Sequence, residues 1–507
     1  MNKEKIENII CSKWFHIALI AFGIIFILLG AFHTEVWFDE AYTIALLQHD
    51  YSEIIRIDIG DVHPVLYYLL LKTFTLIFGN NILVCRLFSV LAGILMGIIG
   101  FTHIRKDFGA KVGLAYTFLA FFLPCMSVYG TEIRMYSWTM LFTTLAGIYA
   151  YCAIKENKVK NWALFAISSL AAAHCHYYGL VSVAIINGLL FLHIVFSKKM
   201  YQEEGKTKKK YLIAFFVTAL AEILGYLPWL PVFLKQATAV SQSYWIPLNF
   251  NDTVVAPLGV QFYGRLPVQI TWVYTIIMYA YLIYQVVCAK KHKQNLSLIG
   301  NCLLVHFILF FGMLIVTVTI KPIMYYRYML ITTGILMFPF SFFIANNQKK
   351  HQKVISCIIV MITLILSIYN NVLVMKRNYD ASNKSEIEYV KEQYASLKKD
   401  NEEVIILYND IFHGTNIQVQ MPEYNWYIYY IDPNHNEKAH ENFCPPMKYV
   451  FDEDFLENYQ GKLIIIDYDG LEWYHEIEEK YGLKEIESKN IKVSYNEKTY
   501  AIITAEK

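Results

Sequence analysis

Apolar runs dominate the first three-quarters of the chain. Each holds roughly 17–22 residues with almost no charge, enough to carry a helix across about 30 Å of hydrocarbon. In lipid such a run must be helical, because nothing outside it satisfies the backbone amides. The pattern predicts about eleven spans, near 14–32, 81–103, 110–128, 136–154, 161–177, 179–197, 211–234, 267–289, 297–319, 327–346 and 354–375. One apolar stretch breaks the series. His63–Gly79 is short and carries Lys72, and counting it as a span would turn the later basic loops to the other side. It is read as a helix lying in the interface, with a second short one over Asp39–Gln48.

Beyond Lys376 the period changes. A polar helix is expected over Ser385–Lys399 and apolar runs at Val404–Tyr408, Trp426–Ile431 and Leu463–Tyr468. A helix follows near Leu471–Tyr481 and a strand near Tyr500–Thr504. Strands alternating with helices predict a small α/β domain. The expected division is 1–375 for the membrane domain and 376–507 for an extracytoplasmic α/β domain.

Composition agrees with a membrane protein: 56% hydrophobic, 16% aromatic and 17% charged. The net charge of +2 hides a basic membrane part and an acidic tail. The cations sort by loop. Lys3, Lys5 and Lys13, then Arg105, Lys106 and Lys111, Lys155–Lys160, Lys198–Lys210, Lys290–Lys293 and Lys349–Lys353 cluster on one side. Isolated cations such as Arg56, Arg134, Lys235, Arg265, Lys321 and Arg327 fall on the other. The positive-inside rule makes the first side cytoplasmic, with the N-terminus inside and the tail outside. Scattered topology lysines are no nucleic-acid footprint, so no nucleic-acid partner is expected. Of nine cysteines only Cys444 lies in the tail, which excludes a bridge within that domain. The first span has no small-residue cleavage site at its end and is read as a retained anchor.

The outer turns carry unusual chemistry. Asp39 and Glu40 follow the first span in EVWFDEAYT; one carboxylate suits a helix start, and two also suit acid–base work or metal binding. Asp61 and His63 precede Pro64, either as turn capping or as a donor to phosphate. GTEIRMYSW sets Glu132, Arg134 and Tyr136 in a very short turn. Arg134 there either snorkels or grips a phosphate. HCHYYG supplies His174, His176, Tyr177 and Tyr178, as local hydrogen-bonding groups or metal ligands. SQSYWIP places Trp245 in a loop that acts as a lid or as inert connection. KPIMYYRY brings Lys321, Tyr325, Tyr326 and Arg327 to a span end, where an aromatic belt accounts for the tyrosines but not the cations.

The order WFDE…DVHPVLYYLLL…EIRMYSW…HYYG…YWIP…YYRYML resembles bacterial glycosyltransferases of the GT-C superfamily. The branch is the family 39-like one related to protein O-mannosyltransferases and lipid A aminoarabinose transferases. The resemblance covers roughly residues 14–346; Val65 departs from it, since many relatives carry a second proline there. It implies a GT-C-like polytopic α-helical membrane protein with two interfacial helices in the first outer loop. It also implies a polyprenyl-phosphate-linked sugar as donor, a cell-envelope hydroxyl as acceptor, and inverting displacement. Asp39 matches the catalytic carboxylate, and Glu40 orients the acceptor or Asp39. Resemblance and chemistry together assign the donor phosphate to Arg134 and Arg327, helped by His63 and Tyr326. Asp61, Tyr136, His176, Tyr177 and Trp245 are expected to contact substrate. No cofactor is called for, although a divalent cation at Asp39 is compatible with the family. The competing readings are a flippase or transporter of lipid-linked sugars, which is expected to show internal repeats, and a non-catalytic scaffold.

Overall fold

The structure, a computed structural model, describes residues 3–197, 201, 207–242, 246, 248–379, 382–398, 403–429, 448–450, 453–467, 471–492 and 499–507. Its helices follow the apolar runs. In chain order they are α1 (Lys3–Ile10), α2 (Lys13–Leu28), α3 (Phe38–Leu46), α4 (Tyr51–Asp58) and α5 (Leu66–Phe78). Then come α6 (Ile82–Phe108), α7 (Ala110–Phe122), α8 (Tyr136–Glu156), α9 (Val159–Cys175), α10 (Tyr177–Phe196) and α11 (Lys208–Val240). The bundle ends with α12 (Val268–Lys291), α13 (Ser297–Thr319), α14 (Tyr326–Ala345) and α15 (Lys350–Asn378).

Among the described residues, eight of these are long and apolar enough to cross a membrane, or nine if α1 and α2, bent by 53°, form one span. The other two expected spans correspond to α7 and α9, of 13 and 17 residues. A helix rises about 1.5 Å per residue, so α7 alone is short for a full crossing. Burial compensates: most of α7 packs inside the bundle, from Val112 to Phe122.

The chain forms two compact units. One holds residues 1–32, 62–70 and 86–374, the membrane bundle; the other holds 33–61, 71–85 and 375–507. Within the bundle, close approach is bought by small residues. A Cβ on Gly23 of α2 or on Gly97 of α6 would lie 2.3 Å from the ring of Phe121, so that ring fits only between two glycines. A polar seam then binds α15 to its neighbours. Ser356 and Thr363 meet Tyr281 and Tyr274 of α12 at 2.8 and 2.7 Å. Ser367 donates to the Phe122 carbonyl, Asn370 Nδ2 to that of Pro124 at 3.1 Å and Asn371 Nδ2 to that of Phe26 at 3.0 Å. Such bonds stand in for the hydrophobic drive that lipid removes.

In the second unit, α3 and the part of α5 from Leu71 onward correspond to the two short helices expected after the first span, with α4 between them in the sequence. Lys72 of α5, the charge that spoke against a span, donates to the carbonyl of Leu47 at the end of α3, 2.6 Å away. It satisfies an orphan carbonyl at a helix C-terminus, where a cation is favoured. Tyr51 and Thr73 add a 3.0 Å hydroxyl contact.

The tail is a six-stranded sheet in the order β3-β2-β1-β4-β6-β5. Its strands are β1 (Val404–Tyr408), β2 (Trp426–Tyr429), β3 (Lys448–Val450), β4 (Lys462–Asp467), β5 (Lys484–Lys492) and β6 (Thr499–Glu506). The first four pair in parallel, and β6 runs antiparallel to both β4 and β5. Helices α16 (Ser382–Leu397), α17 (Ile411–Gln418), α18 (Glu453–Asn458) and α19 (Glu472–Tyr481) complete it. β1 (VIILY) is apolar throughout and β4 (KLIIID) between its two end residues, as expected of a sheet covered on both faces. The edge strand β5 reads KEIESKNIK, and its charges blunt an exposed edge.

Candidate active site

Arg134 follows the short helix Met126–Tyr129, in a turn whose Glu132 carbonyl accepts from Ser89 Oγ at 2.6 Å. The turn is buried, and Arg134 is only 4% exposed. Its Nη1 donates to the Tyr68 hydroxyl at 3.3 Å. Arg327, 8% exposed, lies over two rings, 4.9 Å from the Tyr325 centroid and 5.7 Å from that of Tyr136. Guanidinium faces suit such stacking while their edges keep donors for an anion.

Two histidines share this region. The His63 and His176 rings are 5.3 Å apart, and His176 also meets Tyr136 at 5.8 Å and Tyr328 at 4.9 Å. His176 ends α9 and caps α10: its Nδ1 accepts the backbone N–H of Tyr178 at 3.0 Å. The neutral ring therefore carries its proton on Nε2, and that buried nitrogen has no hydrogen-bond partner among the described residues. Burial, then Arg134 and Arg327, hold His176 down to about 3. Burial first, then Arg134, His176 and Arg327, push His63 well below the ordinary histidine value. Both rings thus stay neutral beside two permanent cations, an arrangement suited to a polyanion.

The bundle therefore brings together His63, Arg134, Tyr136, His176 and Arg327. Tyr326 packs against Tyr325 with the rings tilted and 4.6 Å apart, meets Tyr263 edge-on at 6.0 Å and contacts the Tyr129 hydroxyl. Tyr177 turns toward α11: Trp229 Nε1 donates to its hydroxyl at 3.3 Å, the hydroxyl donates to Gln236, and the ring meets Phe233 at 5.0 Å. His174 also points that way, with its ring 5.0 Å from that of Tyr226. The HCH pair thus splits between two surroundings and does not act as a paired ligand set. Trp245 lies outside the described residues.

Asp39, Glu40 and Asp61 belong to the second unit. Asp39 and Glu40 occupy the first turn of α3, where the helix dipole favours negative charge. Asp39 is half-buried and Glu40 is 3% exposed. Thr43 Oγ1 donates to the Asp39 carbonyl at 2.9 Å and steadies the turn. Asp61 is half-buried after α4. Among the described residues no group of three or more His, Cys, Asp or Glu side chains is arranged to hold a metal ion.

Some residues escaped the sequence reading. Tyr68, the partner of Arg134, lay hidden in an apolar run. Arg86 is 2% exposed inside α6, and an arginine in a membrane helix is itself a functional signal. Asp58, fully buried in the second unit, had none beyond its charge.

A bundle of membrane helices joined to an α/β domain, with buried arginines among tyrosines, defines a multi-pass membrane protein of the GT-C-like architecture expected from the motifs. The sequence model of the family described as dolichyl-phosphate-mannose-protein mannosyltransferase matches residues 62–229. No curated protein sequence matches the chain. The fold is that of ArnT from Cupriavidus metallidurans. The apo crystal structure superposes with a TM-score of 0.63 at 9% identity, over 96% of this chain and 97% of that one. The structure of ArnT bound to undecaprenyl phosphate gives 0.58 at 10% identity, over 97% and 98%.

Proposed function

We propose that this chain is a membrane glycosyltransferase. It moves a sugar from a polyprenyl-phosphate carrier to a hydroxyl of a cell-envelope acceptor on the outer face of the membrane, with the N-terminus cytoplasmic. The observation that carries the reading is the pair of buried guanidinium groups, Arg134 and Arg327, beside two neutral histidines. A polyprenyl phosphate leaves as an anion, and preorganised cations in a desolvated site are the strongest way to stabilise one. The match of 62–229 to a family whose description names a lipid-phosphate sugar donor supports it, as does the ArnT fold.

In the proposed step the acceptor hydroxyl attacks the anomeric carbon. Asp39 takes the hydroxyl proton, the new carbon–oxygen bond forms, and the bond to the phosphate oxygen breaks with inversion. Half-burial leaves Asp39 reachable, while buried Glu40 suits a positioning role. Arg134 and Arg327 take the charge on the departing phosphate, with His176 Nε2–H and His63 as neutral donors and Tyr326 beside them. Asp61, Tyr136, Tyr177 and Trp245 complete the substrate-binding proposal. Asp39 would be the ligand for a divalent cation.

Purified protein in liposomes with labelled polyprenyl-phosphate sugar tests the reading. Asp39→Asn is expected to lower turnover by at least about a hundredfold, the usual worth of a positioned base, while the protein still inserts. Arg134→Ala and Arg327→Ala are expected to lose transfer to a similar degree. Wild-type turnover in Asp39→Asn overturns the base assignment. Donor translocation without any transfer overturns the enzyme.

A further inference from the structure

A cavity of about 330 Å³ opens among α6, α8, α10, α13 and α14, at the end of the bundle that carries the clustered lysines. It lies at the opposite ends of these helices from His176 and Tyr326. Tyr116, Thr144 and Gly334 form its floor, and aliphatic side chains such as Ile186, Leu190 and Val305 line its walls. The polar groups of the floor are already used: Tyr116 donates to the Gly334 carbonyl at 3.0 Å and Thr144 to that of Met140 at 2.7 Å. The inner part is therefore mainly apolar, its hydroxyls having spent their donors within the protein.

The mouth is different. His103, Asp107, His193, Asn295 and Asn301 stand there. Asp107 is tied to Lys155 at 2.8 Å. Lys106 lies in the last turn of α6, Lys290 in the last turn of α12, and Lys158 just before α9. The α6 wall is itself irregular. Gly100–Ile104 is a π-helical turn, and it brings His103 and Ile104 onto the cavity wall. Such wide turns recur where a helix has been shaped for a ligand.

From these observations we infer that the cavity is a phospholipid site: one acyl chain of a lipid in the leaflet beside the basic loops fills it, with the phosphate at the imidazoles and amides of the mouth. The direction of the polarity selects this occupant. A lipid of that leaflet has its head at the basic surface and its chain pointing to the midplane, as the mouth and floor do. A polyprenyl carrier with its phosphate on the other face would bring only its tail and leave the mouth unused. The volume is at the small end of ligand pockets and accommodates one chain.

Gly147 offers a clean test. It lines the cavity, and a Cβ there would meet only Ile335, at an ordinary 3.5 Å, so Gly147→Leu fills the space without moving backbone. Full-length protein is purified in mild detergent, and retained lipid is counted by mass spectrometry after extraction. Wild-type protein is expected to keep about one phospholipid per chain; Gly147→Leu should keep at least about tenfold less, the scale on which overpacking acts. Leu189→Trp fills the same space from α10 and guards against a folding defect in the first variant. Binding of added polyprenyl phosphate should be unchanged in both. Wild-type protein free of phospholipid, equal retention in both variants, or recovery of polyprenyl phosphate in place of phospholipid each overturns the assignment.

Discussion

His176 commits one ring nitrogen to the protein and keeps the other for something else. Its Nδ1 holds the first turn of α10, and Nε2 keeps the proton with no hydrogen-bond partner among the described residues. That commitment has a stability consequence. The folded ring titrates at about 3, whereas the unfolded ring takes its proton at 6.5. Between those values only the unfolded chain binds the proton, so stability falls as pH falls, by about 1.4 kcal/mol per pH unit for this residue. Above 6.5 the contribution is complete and flat. Thermal melting in detergent is expected to be level from pH 7 to 8 and to drop from pH 6.5 to 5. His176→Asn keeps an acceptor for the Tyr178 N–H and removes the titration, so its melting curve should fall less steeply. An unchanged slope would mean that the ring is not buried neutral. The sequence made His176 visible as a site residue, but its division of labour between nitrogens depends on a cap that only the fold builds.

At the scale of elements, most of the architecture was readable because each apolar run has one physical solution in lipid. Val404–Tyr408 was read to its ends, since a fully buried strand is a continuous apolar block. β5 was missed for the opposite reason: an edge strand wears charge, and its pattern looks like a loop. α4 was missed because its eight residues, YSEIIRID, give too short a period to recognise. The polar seam along α15 was legible only as scattered Ser, Thr and Asn in an apolar run. Their common face appears when Ser367, Asn370 and Asn371 are seen to reach carbonyls near the ends of α2 and α7. Two substitutions rank the forces there. Asn371→Ala removes one interhelical bond and is expected to cost about 0.5–1.5 kcal/mol. Gly97→Leu drives a side chain into the Phe121 ring, and overpacking of this kind costs about 1–3 kcal/mol or more. Melting temperatures of the two variants should fall in that order; the reverse order would mean that hydrogen bonds, not close packing, set the bundle's stability.

For the whole molecule, the sequence separated a membrane part from an acidic tail, but it carried no sign of which short helices the tail would gather. Contact between residues hundreds of positions apart leaves no local period to read. In the structure α3, with Asp39 and Glu40, falls in the same compact unit as the tail, and α17 packs against it. Gln418 at the end of α17 is 2% exposed and accepts from Gln48 Nε2, just past α3, at 3.4 Å. Lys72 caps the same helix end from α5. The tail thus packs against the helix that bears the proposed base. Gln418→Met keeps the length of the side chain and removes its acceptor. A lost bond of this kind is worth about 1 kcal/mol, or roughly fivefold in rate if it is expressed in the reacting geometry. The expected result is a kcat lower by about that factor with the KM for the lipid-linked donor unchanged. A raised donor KM at constant kcat would instead make α17 part of donor binding, and an unaltered kcat would leave α3 positioned by Lys72 and its own turn alone.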